Sequence, residues 1–112
     1  MNAAVFLVHI FKEVMQLIAV QIAPNSLEIE GHAGHAKKGN DIICAAVSML
    51  AQNLVNSLEN LTEDKITCHI WDGHIDIKWK SLSEQGALLI DSFFLGICGL
   101  VNTYGEKYVQ IK

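Results

Sequence analysis

The segment EGHAGHAKKGNDIICAAVS, residues 30–48, concentrates the groups that can do chemistry. It holds Gly31, Gly34 and Gly39, His32 and His35, Asp41 and Cys44, and it is flanked by runs of Ile, Leu and Val. A thiol is a poor nucleophile and a thiolate a good one. A histidine can take the thiol proton and later return it to a leaving group. His32 ends a predicted strand and Cys44 begins a predicted helix, so the two approach if the loop between them folds back. Asn40 and Asp41 are good N-cap residues. With Asp41 as the cap, Cys44 falls in the first helical turn, where unpaired N–H groups and the helix dipole favour thiolate. The same N–H groups would hold the oxyanion of a tetrahedral intermediate. Gly31, Gly34 and Gly39 predict a mobile loop that closes over substrate. Ser48 stands one turn after Cys44 on the same helix face. The residues by themselves also allow a plainer reading, in which Cys44 is a small buried apolar residue and His32 merely terminates a strand.

Stepping along the chain gives the elements that must position these groups. Gln16 to Ala23 alternates, Pro24-Asn25-Ser26 is a turn, and Leu27 to Glu30 alternates again, so 16–32 is a predicted β-hairpin. From Ile42 to Asn60 the period becomes helical, with Ile43, Val47, Leu50, Leu54 and Leu58 as the apolar stripe. KITCHIWDGHIDIKW is a second hairpin turning on Asp72-Gly73. Its two-residue turn sets Trp71 opposite His74 and Ile70 opposite Ile75. Ile66, Cys68, Ile70, Ile75, Ile77 and Trp79 then share a core face. Ser83 to Tyr104 is a second helix, capped by Ser83 and stopped by Gly105. Its apolar arc covers about half the circumference, with Leu88 and Leu95 outside it. One sheet does not cover so wide a face, so a second copy of the chain is expected against this helix. Tyr108 to Ile111 is a last strand. The order ββαββαβ predicts an α+β two-layer sandwich, two helices on a mostly antiparallel sheet.

The totals narrow the function. The chain has 112 residues, enough for one domain with a modest core. Its net charge is −4 and its eight basic residues are all lysines, so no arginine is present to grip phosphate or guanine bidentately. Direct nucleic-acid binding is not expected. Cys44, Cys68 and Cys98 are odd in number and widely spaced, which fits a reducing cytoplasm better than a disulfide framework. The apolar run from Ala87 to Val101 contains Asp91 and falls short of the ~20 residues of a membrane span. No membrane span is expected. Residues 1–14 fit this fold poorly. The domain is expected to occupy 15–112, with Met15 or a residue just beyond as the natural start and the leader as a mis-called extension. Lys12-Glu13-Val14 would be the translation of a ribosome-binding sequence.

Gly31-His32-Ala33, the spacing from His32 to Cys44, and Asp41-Ile42-Ile43-Cys44-Ala45-Ala46-Val47-Ser48 resemble the ribosomal-processing cysteine protease family called Prp. That family carries GHA, a glycine-rich loop and DIVCAAVS. Ile43 replaces the usual valine. The order of elements resembles the family from Met15 to Lys112. The resemblance implies a Cys–His dyad, with Cys44 as nucleophile and His32 as general base and acid. It places Asp41 and Ser48 on motif positions, and leaves open whether Asp41 orients His32 or caps a helix. It implies a homodimer that removes the N-terminal extension of a large-subunit ribosomal protein, L-twenty-seven, with no cofactor.

Two rival functions differ in kind. A zinc site would draw on His32, His35 and Cys44. No CxxC or HExxH spacing occurs, and the adjacent Cys68 and His69 point to opposite faces of a strand, so no metal site is expected. A non-catalytic ribosome-assembly or binding module would not need cysteine, histidine and a flexible loop together.

Overall fold

A computed structural model describes residues 18–31, 38–71 and 73–112, with the backbone alone at 38–41. Strand β1, Ile18–Ala23, and strand β2, Ser26–Glu30, form the first hairpin, with Val20 opposite Ile29 and Ile22 opposite Leu27. Asn25 fixes its turn. The Asn25 side-chain amide donates to the carbonyls of Trp79 (3.1 Å) and Lys80 (2.8 Å), and the Trp79 N–H donates to the Asn25 carbonyl. Strands β3, Ile66–Trp71, and β4, His74–Trp79, form the second hairpin around Gly73, whose φ of 71° suits the tight turn. Trp71 faces His74 and Ile70 faces Ile75, the register that a two-residue turn dictates. Strand β5, Val109–Ile111, joins β1 in parallel. The sheet order is β3-β4-β2-β1-β5, antiparallel except at β1–β5.

Period-two alternation gives this sheet one apolar face. Val20, Leu27, Ile29, Ile77 and Val109 are buried on it. Both helices cover that face. Helix α1, Lys38–Leu61, lays down Ile43, Val47, Ala51, Leu54 and Leu58. Helix α2, Glu84–Tyr104, lays down Ile90, Phe93 and Ile97. Fully burying one such side chain contributes about 1.5–3 kcal/mol, so this layer contact dominates the stability of the fold. The expected two-layer α+β sandwich is the fold observed. Leu50 departs from the expected stripe. It is half-buried and turned towards α2, where its side chain lies against the space beside Gly96.

One expectation about the helices is corrected. Helix α1 begins at Lys38, so Gly39, Asn40 and Asp41 lie inside it instead of forming loop or cap. The second helix is where it was expected, at Glu84–Tyr104 with Ser83 as its N-cap, and it contains the apolar stretch around Asp91. By length and composition alone, Ile42–Leu61 and Glu84–Tyr104 are each long enough to cross a membrane. Each instead turns a stripe of side chains onto the sheet, the pattern of an amphipathic helix in a layered fold.

The two helices are tied together at the end of the molecule opposite the 30–48 segment. Thr62 Oγ1 donates to the Leu58 carbonyl and accepts from the Asp64 N–H, closing α1. The Asp64 carboxylate then accepts from the Ser83 N–H (2.9 Å) and the Ser83 hydroxyl (2.8 Å), and Ser83 caps α2 by accepting from Gly86 N–H. Gly105, at φ 92°, ends α2 with its N–H on the Val101 carbonyl. Gly86 is buried under this junction, and a Cβ there would lie 2.0 Å from Asp64 Oδ2 and 3.3 Å from Leu82. Gly86→Ala must therefore push the carboxylate off Ser83. We predict a loss of about 1–3 kcal/mol, a charged-group hydrogen bond's worth, with secondary structure unchanged. Urea unfolding followed by circular dichroism measures it, and an unchanged midpoint would show that the junction carries no stability.

Candidate active site

The single thiol in the 30–48 segment is positioned by helix geometry. At about 100° per residue, Cys44 sits one step round α1 from the buried Ile43. It is half-buried and packs against the core. Ser48 follows one turn later on the same flank, also half-buried. The described structure thus bears out their common face. It does not bear out the first-turn position of the cysteine. Helix α1 starts six residues before Cys44, so the Cys44 N–H belongs to the intrahelical ladder. The dipole effect falls off within the first turn. Neither free first-turn N–H groups nor the helix terminus adjoin Cys44 in this backbone. The reason the expectation failed is local. Asn and Asp favour caps but are tolerated within helices, and Lys38-Gly39-Asn40 carries no proline to prevent extension.

Gly31 is positioned from across the sheet. Its N–H donates to the Gly73 carbonyl at 2.9 Å, and its φ of 107° lies in the left-handed region that a glycine adopts without strain. Gly31 is therefore anchored to the β3–β4 turn. His32, Gly34 and His35, and the side chain of Asp41, lie outside the described residues. So does residue 72 of the turn.

The β3–β4 hairpin places a second polar group beside this anchor. The rings of Trp71 and His74 stack with centroids 4.1 Å apart and an interplanar angle of 8°. His74 Nε2 lies 3.3 Å from Glu28 Oε1. This is cross-strand packing of a half-exposed face. Asp76 and Lys78 pair at 3.6 Å on the same face. Glu28, Glu30 and His74 bring potential ligand atoms within 4.8 Å of one another, the described residues best arranged to hold a cation. The His74 ring is already engaged by Trp71 on its face and by Glu28 at its edge.

The other two cysteines differ from Cys44 in setting. Cys68 lies on β3 facing the helices, where burial first, then the Glu59 and Asp76 carboxylates, push its thiol up from its ordinary pKa. It is held as the thiol at neutral pH. Cys98 is half-buried on α2.

Ile70 is a further departure from the sequence reading. Ile70 was expected in the core, by alternation with Cys68 and Ile77, yet 63% of it is exposed. It is on the helix-covered side of the sheet, but β3 is the edge strand. No periodic signal separates an edge strand from a central one.

Comparison with known proteins gives these features a family. The model of the family described as cysteine protease Prp matches residues 15–110. The ribosomal processing cysteine protease Prp of Staphylococcus aureus (strain Mu50 / ATCC 700699) is 26% identical over 82 residues, 70% of this chain and 77% of that protein. Among solved structures, SMU.848 from Streptococcus mutans superposes with a TM-score of 0.76 at 34% identity, covering 87% of this chain and 93% of that one. The essential ribosomal processing protease Prp from S. aureus, in complex with a covalently linked product peptide, superposes with a TM-score of 0.69 at 21% identity over 86% and 98% of the two chains. The fold, the 30–48 segment and the family match thus converge, and the chain belongs to the Prp family of cysteine proteases.

Proposed function

We propose that this protease removes the N-terminal extension of a large-subunit ribosomal protein, L-twenty-seven, with Cys44 as nucleophile and His32 as general base and acid. The observation that carries the reading is the placement of Cys44. It is a half-buried thiol on the flank of α1, at the end of the molecule where Gly31 leads the chain towards His32. The relatives support the substrate class, since those proteins are ribosomal processing proteases and one is complexed with a substrate peptide.

The chemistry follows from the residue types. His32 takes the Cys44 proton, and the sulfur attacks the scissile carbonyl to give a tetrahedral oxyanion. As this collapses, the C–N bond breaks and His32 gives the proton to the leaving amine. Water, deprotonated by His32, then attacks the thioester, releasing the new carboxylate and restoring the thiol. Because α1 starts well before Cys44, its first-turn N–H groups are not adjacent to the sulfur, and activation rests on the histidine. Asp41, about one turn before Cys44, supports His32 as an orienting group, and Ser48 supports the site from the same helix flank. Gly34 allows the loop to close over substrate, with Gly31 as the fixed end. No metal or other cofactor enters this scheme. The reaction is cytoplasmic in this reading, consistent with reduced cysteines, and it requires no membrane and no direct contact with nucleic acid.

We also infer a homodimer through α2. Leu88 and Leu95 are 68% and 70% exposed, and they alternate along the helix with the uncharged Ser92 and Gly99. A Cβ at Gly99 would meet nothing within 4 Å. Such a stripe is suited to a two-fold contact in which each copy offers the same face.

Three outcomes are expected. Incubated with the ribosomal precursor, the wild type makes a single N-terminal trim by mass spectrometry and Cys44→Ala makes none while keeping its circular dichroism spectrum. Cleavage by the alanine variant would remove Cys44 as nucleophile. Asp41→Asn lowers kcat by on the order of tenfold or more with an unchanged melting temperature, since the residue lies inside the helix and no longer has a capping role to lose. Turnover equal to wild type would make it a bystander. Leu88→Lys with Leu95→Lys converts a dimer to a monomer at micromolar concentration by light scattering, and a wild type that is already monomeric would overturn the dimer.

A further inference from the structure

The alternation that buries Leu27, Ile29 and Ile77 under the helices turns Glu28, Glu30, His74 and Asp76 to the other face of the sheet. Strand register then assembles them. Glu30 lies opposite His74, and His74 opposite Trp71. Glu28 lies opposite Asp76, and Asp76 opposite His69. Glu28 and Glu30 are two residues apart on β2, so His74 is directly across from one and diagonal to the other, both within reach of a long side chain. Glu28, Glu30 and His74 offer one ligand atom each, all within 4.8 Å of one another.

The spacing within this group is informative. His74 Nε2 and Glu28 Oε1 are 3.3 Å apart. A charge-assisted N–H···O bond is shorter, about 2.7–2.9 Å. Zinc bonds of about 2.0–2.1 Å at the tetrahedral angle set neighbouring ligand atoms about 3.3–3.4 Å apart. The His74–Glu28 edge thus already has the length of an edge of a zinc tetrahedron. The imidazole is pre-set: its side chain is only 15% exposed and its ring is stacked on Trp71. The Glu28 side chain is 41% exposed, which leaves the group open to an ion from solvent and free to adjust. Lys78 is directed to Asp76, at 3.6 Å, and not to the two glutamates. One imidazole with two carboxylates suits zinc and its first-row neighbours, whereas calcium and magnesium favour oxygen ligands throughout.

We propose that Glu28, Glu30 and His74 form a binding site for a divalent transition-metal ion, zinc above all, on the face of the sheet away from the helices. Nε2 of His74 and one carboxylate oxygen from each glutamate are the protein ligands, and water takes the fourth position. The ion replaces the direct His74–Glu28 contact and offsets the repulsion between the two carboxylates. Its place in the fold gives it a structural consequence. Glu30 precedes Gly31 and His74 follows Gly73, and Gly31 and Gly73 are joined by the 2.9 Å backbone bond. A bound ion therefore clamps the end of β2 to the start of β4 where the 30–48 segment leaves the sheet. The site does not depend on the proposed proteolysis.

The test uses the full chain without an affinity tag, stripped with EDTA, and titrated with Zn²⁺ in a calorimeter and with Co²⁺ in a spectrometer. Saturable binding of one ion per chain at micromolar concentration is expected. Glu28→Gln and His74→Ala, each with the circular dichroism spectrum of the wild type, should weaken binding by at least about tenfold, since even the outer partners of metal ligands are worth about 10–100-fold. Asp76→Asn removes a charge beside the site and no ligand, so it should leave the affinity within about threefold, a surface-charge effect. Bound Co²⁺ should quench Trp71 through its stacked neighbour, and Trp71→Phe should abolish that quenching while keeping the ion. The Gly31 amide should exchange with solvent several-fold more slowly when Zn²⁺ is bound. No saturable binding would overturn the site, as would equal losses in Asp76→Asn and Glu28→Gln, which mark diffuse attraction to acidic surface. A thiolate-to-cobalt absorption band would place the ion on a cysteine instead. Binding with an unchanged Gly31 exchange rate would overturn the clamp.

Discussion

A sheet that is apolar on one face must be covered on that face, and most of this structure follows from that requirement. Val20, Leu27, Ile29 and Ile77 all point the same way because successive strand residues alternate. Both helices must then lie on one side, each turning a stripe inward. Five strands spaced about 4.8 Å apart make a layer roughly 20–25 Å wide. Two helices packed 8–10 Å apart, roughly, protect its centre fully and its margins only in part. The exposed places are where this predicts them. Ile70 lies at the β3 edge, and Leu88 and Leu95 lie on the outer side of α2.

The same constraint separates rigidity from chemistry. Asp64, Ser83 and Gly86 lock the end where α1 gives way to β3 and where α2 begins. The other end carries the 30–48 segment. There the chain is held at Gly31 by a backbone bond to Gly73, and again where α1 packs on the sheet. Burial, then the Glu59 and Asp76 carboxylates, raise the pKa of Cys68 on β3 and so disfavour its thiolate.

Much of this was legible in the chain. Period-two alternation gave both hairpins, and Asp72-Gly73 set the register of the second through to Cys68 opposite Ile77. Helical periodicity placed both helices, Ser83 and Gly105 marked the limits of the second, and its excess apolar face foretold exposed Leu88 and Leu95. The GHA and DIICAAVS segments pointed to the Prp family, and the family match over 15–110 agrees. The start of α1 was not legible. Asn40 and Asp41 have strong cap preferences of about 1 kcal/mol, yet those preferences are local and small beside the packing of a long helix. The helix runs on through them to Lys38. His32 and His35 lie outside the described residues.

What the sequence determined by itself is therefore whatever depends on neighbours along the chain: alternation, helical period, turn chemistry, and the motif that sets His32 and Cys44 in one segment. What the tertiary structure decided depends on neighbours in space. It made β3 an edge and β4 central, though both alternate alike. It tied Gly31 to Gly73, and it set Leu50 of α1 against Gly96 of α2. Hydrophobic period records that a residue faces inward; it carries no information about how many layers or strands lie beyond it.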